Sequence, residues 1–184
     1  SHDVYDMLVG HEVGHALFTP DEDWWLDYDV PQSIVNVVED ARIEKLMKRK
    51  YMGLAKSFHK GYTELHQNDF FELNGEDLNT FNLADRANLY FKIGSFLDIS
   101  FSTPEKEIID LIQNAETFTQ TLSAAETLYN FCKQEQEKES LENEQQAQLD
   151  FELDLESSGD SSNSSTPDSE SSVSDLDSSS SVED

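Results

Sequence analysis

"LVGHEVGHALFTP", residues 8–20, is the stretch on which the reading of the whole chain turns. Its two histidines, His11 and His15, stand four apart, with Glu12 beside the first. In a helix, four residues turn by about 400°, so both rings leave one face, one turn apart. Two imidazole nitrogens placed this way can meet one zinc ion at roughly 2.0–2.1 Å each. Glu12 lies a little around the helix, outside the ligand pair but placed to face a metal-bound water. Zinc lowers the pKa of such a water to about 7, and a glutamate there can take its proton. The competing reading is an ordinary helix carrying two exposed histidines. Gly14 speaks against it, because a glycine gives up about 1 kcal/mol of helix propensity and so implies close approach to a neighbour.

Outward from this stretch the pattern stays helical. Val4, Leu8, Val13, Ala16 and Leu17 recur at helix-compatible spacing over 3–18, and Thr19-Pro20 ends the run. "DEDWWLDYD", 21–29, reads as a loop in which Trp24 and Trp25 serve packing. Pro31 suits the first turn of a second helix running to about Tyr51, with Gly53 just past its end. Residues 57–66 form a short helix if Gly61 does not break it, and Asn74-Gly75 marks a turn. A further helix spans about 83–97. Another starts where Thr103 can cap and Pro104 fits the first turn, and "SAAETLYNFCK" repeats that logic with Ser123 and Glu126 as a capping box. No segment shows convincing period-2 alternation, so the domain is expected to be mainly α.

Zinc needs a third protein ligand, and "SIVNVVEDARIEKLM", 33–47, offers two neighbouring carboxylates. Glu39 shares its helix face with Val35, Ile43 and Leu46, which should point inward. Asp40 shares a more mixed, wetter face with Asn36, Val37, Ile43 and Glu44. A carboxylate on an apolar face needs a partner to stay charged. Zinc would be that partner, which makes Glu39 the expected ligand. The alternative for Glu39 is a buried salt bridge to Arg42. Asp40 and Arg42 are otherwise expected behind the ligands, Arg42 orienting Glu39 or pairing with Asp40. His59, Tyr62 and His66 fall on one side of a helix and could offer a hydrogen bond to a developing oxyanion or a substrate. For these three, ordinary surface placement is the competing reading.

Charge divides the 184-residue chain. Its net charge is -27, and residues 134–184 hold 16 acidic groups against Lys138 alone. The first part, 1–133, carries nearly all the aromatics and is long enough for one domain with its own core. From Gln134 the last helix is expected to fray through "EQEKESLENEQQAQ" into "SSGDSSNSSTPDSESS", a run without the apolar area to order itself, so 134–184 reads as an acidic, serine-rich disordered linker or tail. Within it "LDFELDLE", 149–156, alternates apolar and acidic residues as a docking segment could, though simple disorder is the preferred reading. The acidic balance argues against nucleic acid and anionic membrane as partners. The basic run "KLMKRKYMGLAK", 45–56, reads as a solvated helix end. No run approaches the roughly 18–20 apolar residues of a membrane span, and no signal peptide is visible. The lone Cys132 favours a reducing compartment. A start at Ser1 inside a helical pattern, and an end in low complexity, lead us to expect a piece of a longer chain.

"HEVGHALFTP" followed by "NVVEDARIEKLMKRKYMGL" resembles the peptidase-like segment of proteins of tailed phages related to the T-even group. It is also similar to the cobalt-chelatase large subunit and its relatives. The resemblance covers about residues 1–133 and is strongest over 8–66. It implies a zincin-like helical metal-binding domain whose third ligand is a glutamate on a later helix. That carries onto His11, His15 and Glu39, with Glu12 as base. It further implies an acidic linker, then a von Willebrand A domain in the full-length chain, an ATPase partner and a cytoplasmic setting, the host's if phage-encoded. Two features depart from the pattern. No edge strand is legible before the first helix, and Met52 stands where "KYPGL" would place a proline.

Two functions follow as expectations. The first is a zinc-dependent metallopeptidase acting on a peptide or protein substrate, with Glu12 as general base. The second is a non-catalytic, zinc-stabilised interaction module serving the ATPase-driven assembly. Glu12 separates them, since a purely structural site has no need of a glutamate beside its first ligand.

Overall fold

A computed structural model describes residues 1–158, and no strand occurs among them. The helices are α1 (His2–Phe18), α2 (Gln32–Lys50), α3 (Leu54–Gln67), α4 (Leu83–Ile93), α5 (Thr103–Asn114) and α6 (Phe118–Ser158). The expectation of a mainly α chain is met. No helix among the described residues is long and apolar enough to cross a membrane. The chain divides into one unit, Ser1–Ser140, and a second beginning at Leu141.

Helix ends follow local chemistry, not always at the expected residue. α1 stops at Thr19, whose extended backbone is what a residue before Pro20 requires. α5 is capped by Ser102, one residue earlier than expected: Ser102 Oγ accepts from the Glu105 amide while Glu105 accepts from the Ser102 amide. α6 is entered through Thr117 and Gln120, which exchange the same pair of bonds. Ser123 and Glu126 therefore lie inside that helix. Gly75 takes a φ of 86° in the turn expected at Asn74-Gly75.

α6 also runs past the expected boundary at 134, because Glu, Gln, Lys, Leu and Ala all propagate helix well. Its side chains from Lys133 to Leu153 are exposed. The rest of the expected disordered tail, 159–184, lies outside the described residues.

Two apolar clusters hold Ser1–Ser140 together. One joins α2, α4, α5 and α6 through Val35, Val38, Ala87, Ile109, Ile112 and Leu128. The other joins α1, α3 and α4 through Met7, Phe58, Tyr62, Leu89 and Ile93. α1 lies most extensively on α3 and next on α2.

Glycines set how closely α1 lies on its neighbours. A Cβ on Gly14 would stand 2.9 Å from both Ile43 Cδ1 and Met47 Cγ, so this glycine is the point of approach to α2. A Cβ on Gly61 would stand 2.8 Å from Met7 Cβ and 3.0 Å from the Asp3 carbonyl. Gly61 thus brings α3 against α1, and α3 passes through it unbroken. The buried face of α1 is Met7, Gly10 and Gly14. Leu8, Val13 and Leu17, whose spacing announces the helix, are instead exposed, together with Tyr5 and Val9. α1 is apolar on every side, so periodicity could announce the helix without choosing its face.

Candidate metal centre

The close approach of α1 to α2 carries His11 and His15 onto the side chains of α2. His15 Nε2 lies 3.0 Å from Asp40 Oδ1 and 3.2 Å from His11 Nε2. His11 Nε2 lies 3.5 Å from the same Asp40 oxygen. One ligand atom from each of the three residues therefore falls within 4.8 Å of the other two. The three side chains are partly buried, at 16, 28 and 16 % exposure for His11, His15 and Asp40. Lys92, reaching in from α4, holds the second Asp40 oxygen at 3.1 Å.

The far side of each ring is also occupied. His11 Nδ1 lies 3.0 Å from Oε1 of Glu44, one turn beyond Asp40 on α2. Glu44 is buried, and it accepts the Tyr62 hydroxyl as well. His15 Nδ1 lies 3.0 Å from Thr19 Oγ1, and that hydroxyl is 2.6 Å from Glu39 Oε1. These surroundings leave their mark on protonation. The Glu44 bond, against the pull of burial, raises His11 above the ordinary histidine range. Burial pushes the Asp40 carboxyl up, but the His15 bond and the charge on Lys92 outweigh it and hold the group low. Burial, reinforced by the Glu44 carboxylate, pushes the Tyr62 phenol far up, so it stays a hydrogen-bond donor.

Glu39, the expected third ligand, is not brought to the histidine nitrogens. It is buried as its apolar face requires, but its partner there is Arg42. Arg42 Nε and Nη2 lie 2.9 and 2.5 Å from its two oxygens, and Thr19 and Thr121 donate a hydroxyl each, at 2.6 and 2.9 Å. Four donors satisfy the carboxylate without a metal. Arg42 thus orients Glu39, and its remaining donors go to the Phe18 and Glu116 carbonyls and not to Asp40. The face of α2 expected to be wetter meets the histidines and is closed there, with Glu44 buried, because α1 crosses α2 where Gly14 lies over Ile43 and Met47.

The other candidates divide. Glu12 is exposed on α1, next to His11. Tyr62 approaches from behind the site and commits its hydroxyl to Glu44. His59 and His66 pack on Phe96, with ring centroids 5.4 and 5.8 Å away, and are not gathered with the three ligand atoms. A cleft of about 330 Å³ is lined by His59 and Tyr62 and by Lys92, the partner of Asp40, but by none of His11, His15 and Asp40.

Sequence reasoning missed three participants. Glu44 was legible in principle, since it lies one helical turn from Asp40. Thr19 was read only as a helix stop, and nothing in the sequence points Lys92 towards Asp40.

No family model, curated protein or solved structure matches the chain.

Proposed function

We propose that the chain is a zinc-dependent hydrolase of peptide bonds, with His11, His15 and Asp40 as metal ligands and Glu12 as general base. The observation that carries the reading is the convergence of two imidazole Nε2 atoms and one carboxylate oxygen at 3.0–3.5 Å from one another. A tetrahedron of bonds of about 2.0–2.1 Å has edges of about 3.4 Å, so the separations fit zinc without rearrangement. Two imidazoles and one carboxylate are also a donor set that zinc favours. Three protein ligands leave a fourth position open, as in catalytic and not in structural zinc sites.

Bound there, zinc would supply Lewis acidity, polarising a substrate carbonyl and acidifying a water. The chain's own groups do the rest. Glu12, exposed beside His11, takes a proton on its carboxylate and returns it to the leaving amine. Lys92 holds Asp40 Oδ2 and so presents Oδ1 alone to the metal. The zincin-like resemblance of "HEVGH" supplies the reaction class and points to a peptide or protein as substrate.

Metal content measured alongside cleavage of a peptide library tests the reading. One zinc per chain is expected, lost in His15→Ala and Asp40→Asn, whereas Glu39→Gln, which removes no ligand, should leave zinc bound, at most more weakly. Glu12→Gln should keep the zinc and abolish cleavage. Stoichiometric zinc with no cleavage of any peptide would favour the interaction module tied to a von Willebrand A domain and an ATPase. Protein that takes up no zinc refutes both.

A further inference from the structure

The two histidines differ in what stands behind them, and one of the two supports passes through a hydroxyl. A carboxylate only accepts hydrogen bonds, so the Thr19 hydroxyl proton points at Glu39 Oε1, 2.6 Å away. That hydroxyl has no second proton. Towards His15 Nδ1, at 3.0 Å, Thr19 Oγ1 can therefore only accept, so His15 carries a proton on Nδ1. The same logic acts directly on His11, whose Nδ1 faces the Glu44 carboxylate at 3.0 Å. With Nδ1 protonated on both rings, Nε2 is the nitrogen each would offer a cation, which would take the place of the proton that His15 Nε2 donates to Asp40 Oδ1 at 3.0 Å.

We propose that Thr19, oriented by Glu39, is the positioning residue that fixes the tautomer of His15, as Glu44 backed by Tyr62 does for His11. The inference rests on the metal reading above and names what makes that site ready for a cation. Thr19 suits the task because it is held on two sides. Its backbone amide bonds the His15 carbonyl at the end of α1, and Pro20 follows it directly. Glu39 in turn is locked by Arg42, whose Nη2 also reaches the Phe18 carbonyl at 2.8 Å. The buried ion pair is thus tied to both the end of α1 and the hydroxyl that orients His15. Glu39 serves the metal at one remove, through Thr19.

The test is zinc affinity of the full chain by competition with a chromophoric chelator, for Thr19→Val and Thr19→Ser. Valine keeps the shape and removes the hydroxyl, whereas serine keeps the hydroxyl and removes the methyl. Loss of a hydrogen bond behind a metal-binding histidine typically weakens binding about 10–100-fold. Thr19→Val is expected to fall in that range and Thr19→Ser to stay within about threefold of wild type.

Wild-type binding with Thr19→Val within twofold overturns this inference and leaves the metal site standing. Equal weakening in both variants also overturns it, because serine keeps the hydroxyl and the loss would then not follow the hydrogen bond. A wild type that binds no zinc removes the metal site and the inference together. Should Thr19→Val fail to fold, ¹⁵N spectra of the histidine rings in zinc-loaded wild type decide the matter. Protonated Nδ1 with coordinated Nε2 on both rings is expected, and a ring coordinated through Nδ1 refutes the assignment.

Discussion

Replacing Arg42 by methionine asks whether Glu39 is a structural anion or a metal ligand. The two side chains are 3 and 4 % exposed for Glu39 and Arg42, so water cannot replace what the guanidinium provides. Arg42→Met removes both charge-assisted bonds to Glu39. It also strands the Phe18 and Glu116 carbonyls that Nη2 and Nη1 reach at 2.8 and 3.3 Å. Breaking a buried pair by removing one partner costs about 3–5 kcal/mol. The Thr19 and Thr121 hydroxyls still solvate the carboxylate, so we place the loss near the middle, at about 4 kcal/mol.

For a unit of this size 1 kcal/mol moves the melting temperature by about 3–4 °C, so a fall of about 12–16 °C is expected. Urea unfolding of the metal-free protein, followed by circular dichroism, reads the effect without contribution from bound zinc. The double variant Glu39→Leu/Arg42→Met removes the stranded charge and should recover part of the loss. A loss under about 1 kcal/mol, or a double variant no more stable than Arg42→Met, would show that the pair does not anchor the fold.

Other perturbations follow from single contacts. Gly61→Ala should destabilise by about 1 kcal/mol, since overpacking of about 1–3 kcal/mol against Met7 and the rigid Asp3 carbonyl outweighs about 1 kcal/mol of helix propensity. Gly53→Ala, whose Cβ meets nothing within 4 Å, should stay within about 0.5 kcal/mol of wild type, and thermal melts of both check the contrast. Glu116, clamped by Arg49 and Lys45, is held down from 4.5 to about 2. A group with a depressed folded pKa stabilises the fold above its unfolded value and loses that contribution as pH falls. Stability should therefore decline between about pH 4.5 and 2. Glu116→Gln should flatten that decline in urea titrations, and added salt should shrink the difference, because the clamp is exposed.

Much of the molecule was legible in the sequence. The HExxH spacing made His11 and His15 one-sided, since four residues close one helical turn. Gly14 signalled close approach, and Pro20 fixed where α1 ends. The pattern on α2 correctly buried Glu39, because Val35, Glu39 and Ile43 share a face whatever lies against it.

What the tertiary structure alone decided is which neighbour each of those faces meets. A buried carboxylate needs a positive or hydrogen-bonding partner, but spacing cannot say whether that partner is a metal, Arg42 or a threonine. The crossing of α1 over α2 at Gly14 settles it, giving Glu39 to Arg42 and Asp40 to the histidines. α1, apolar all round, offered no periodicity from which its buried side could be read. Lys92 and Thr121 lie 52 and 82 residues from the carboxylates they bind on α2, a distance at which only packing brings side chains together.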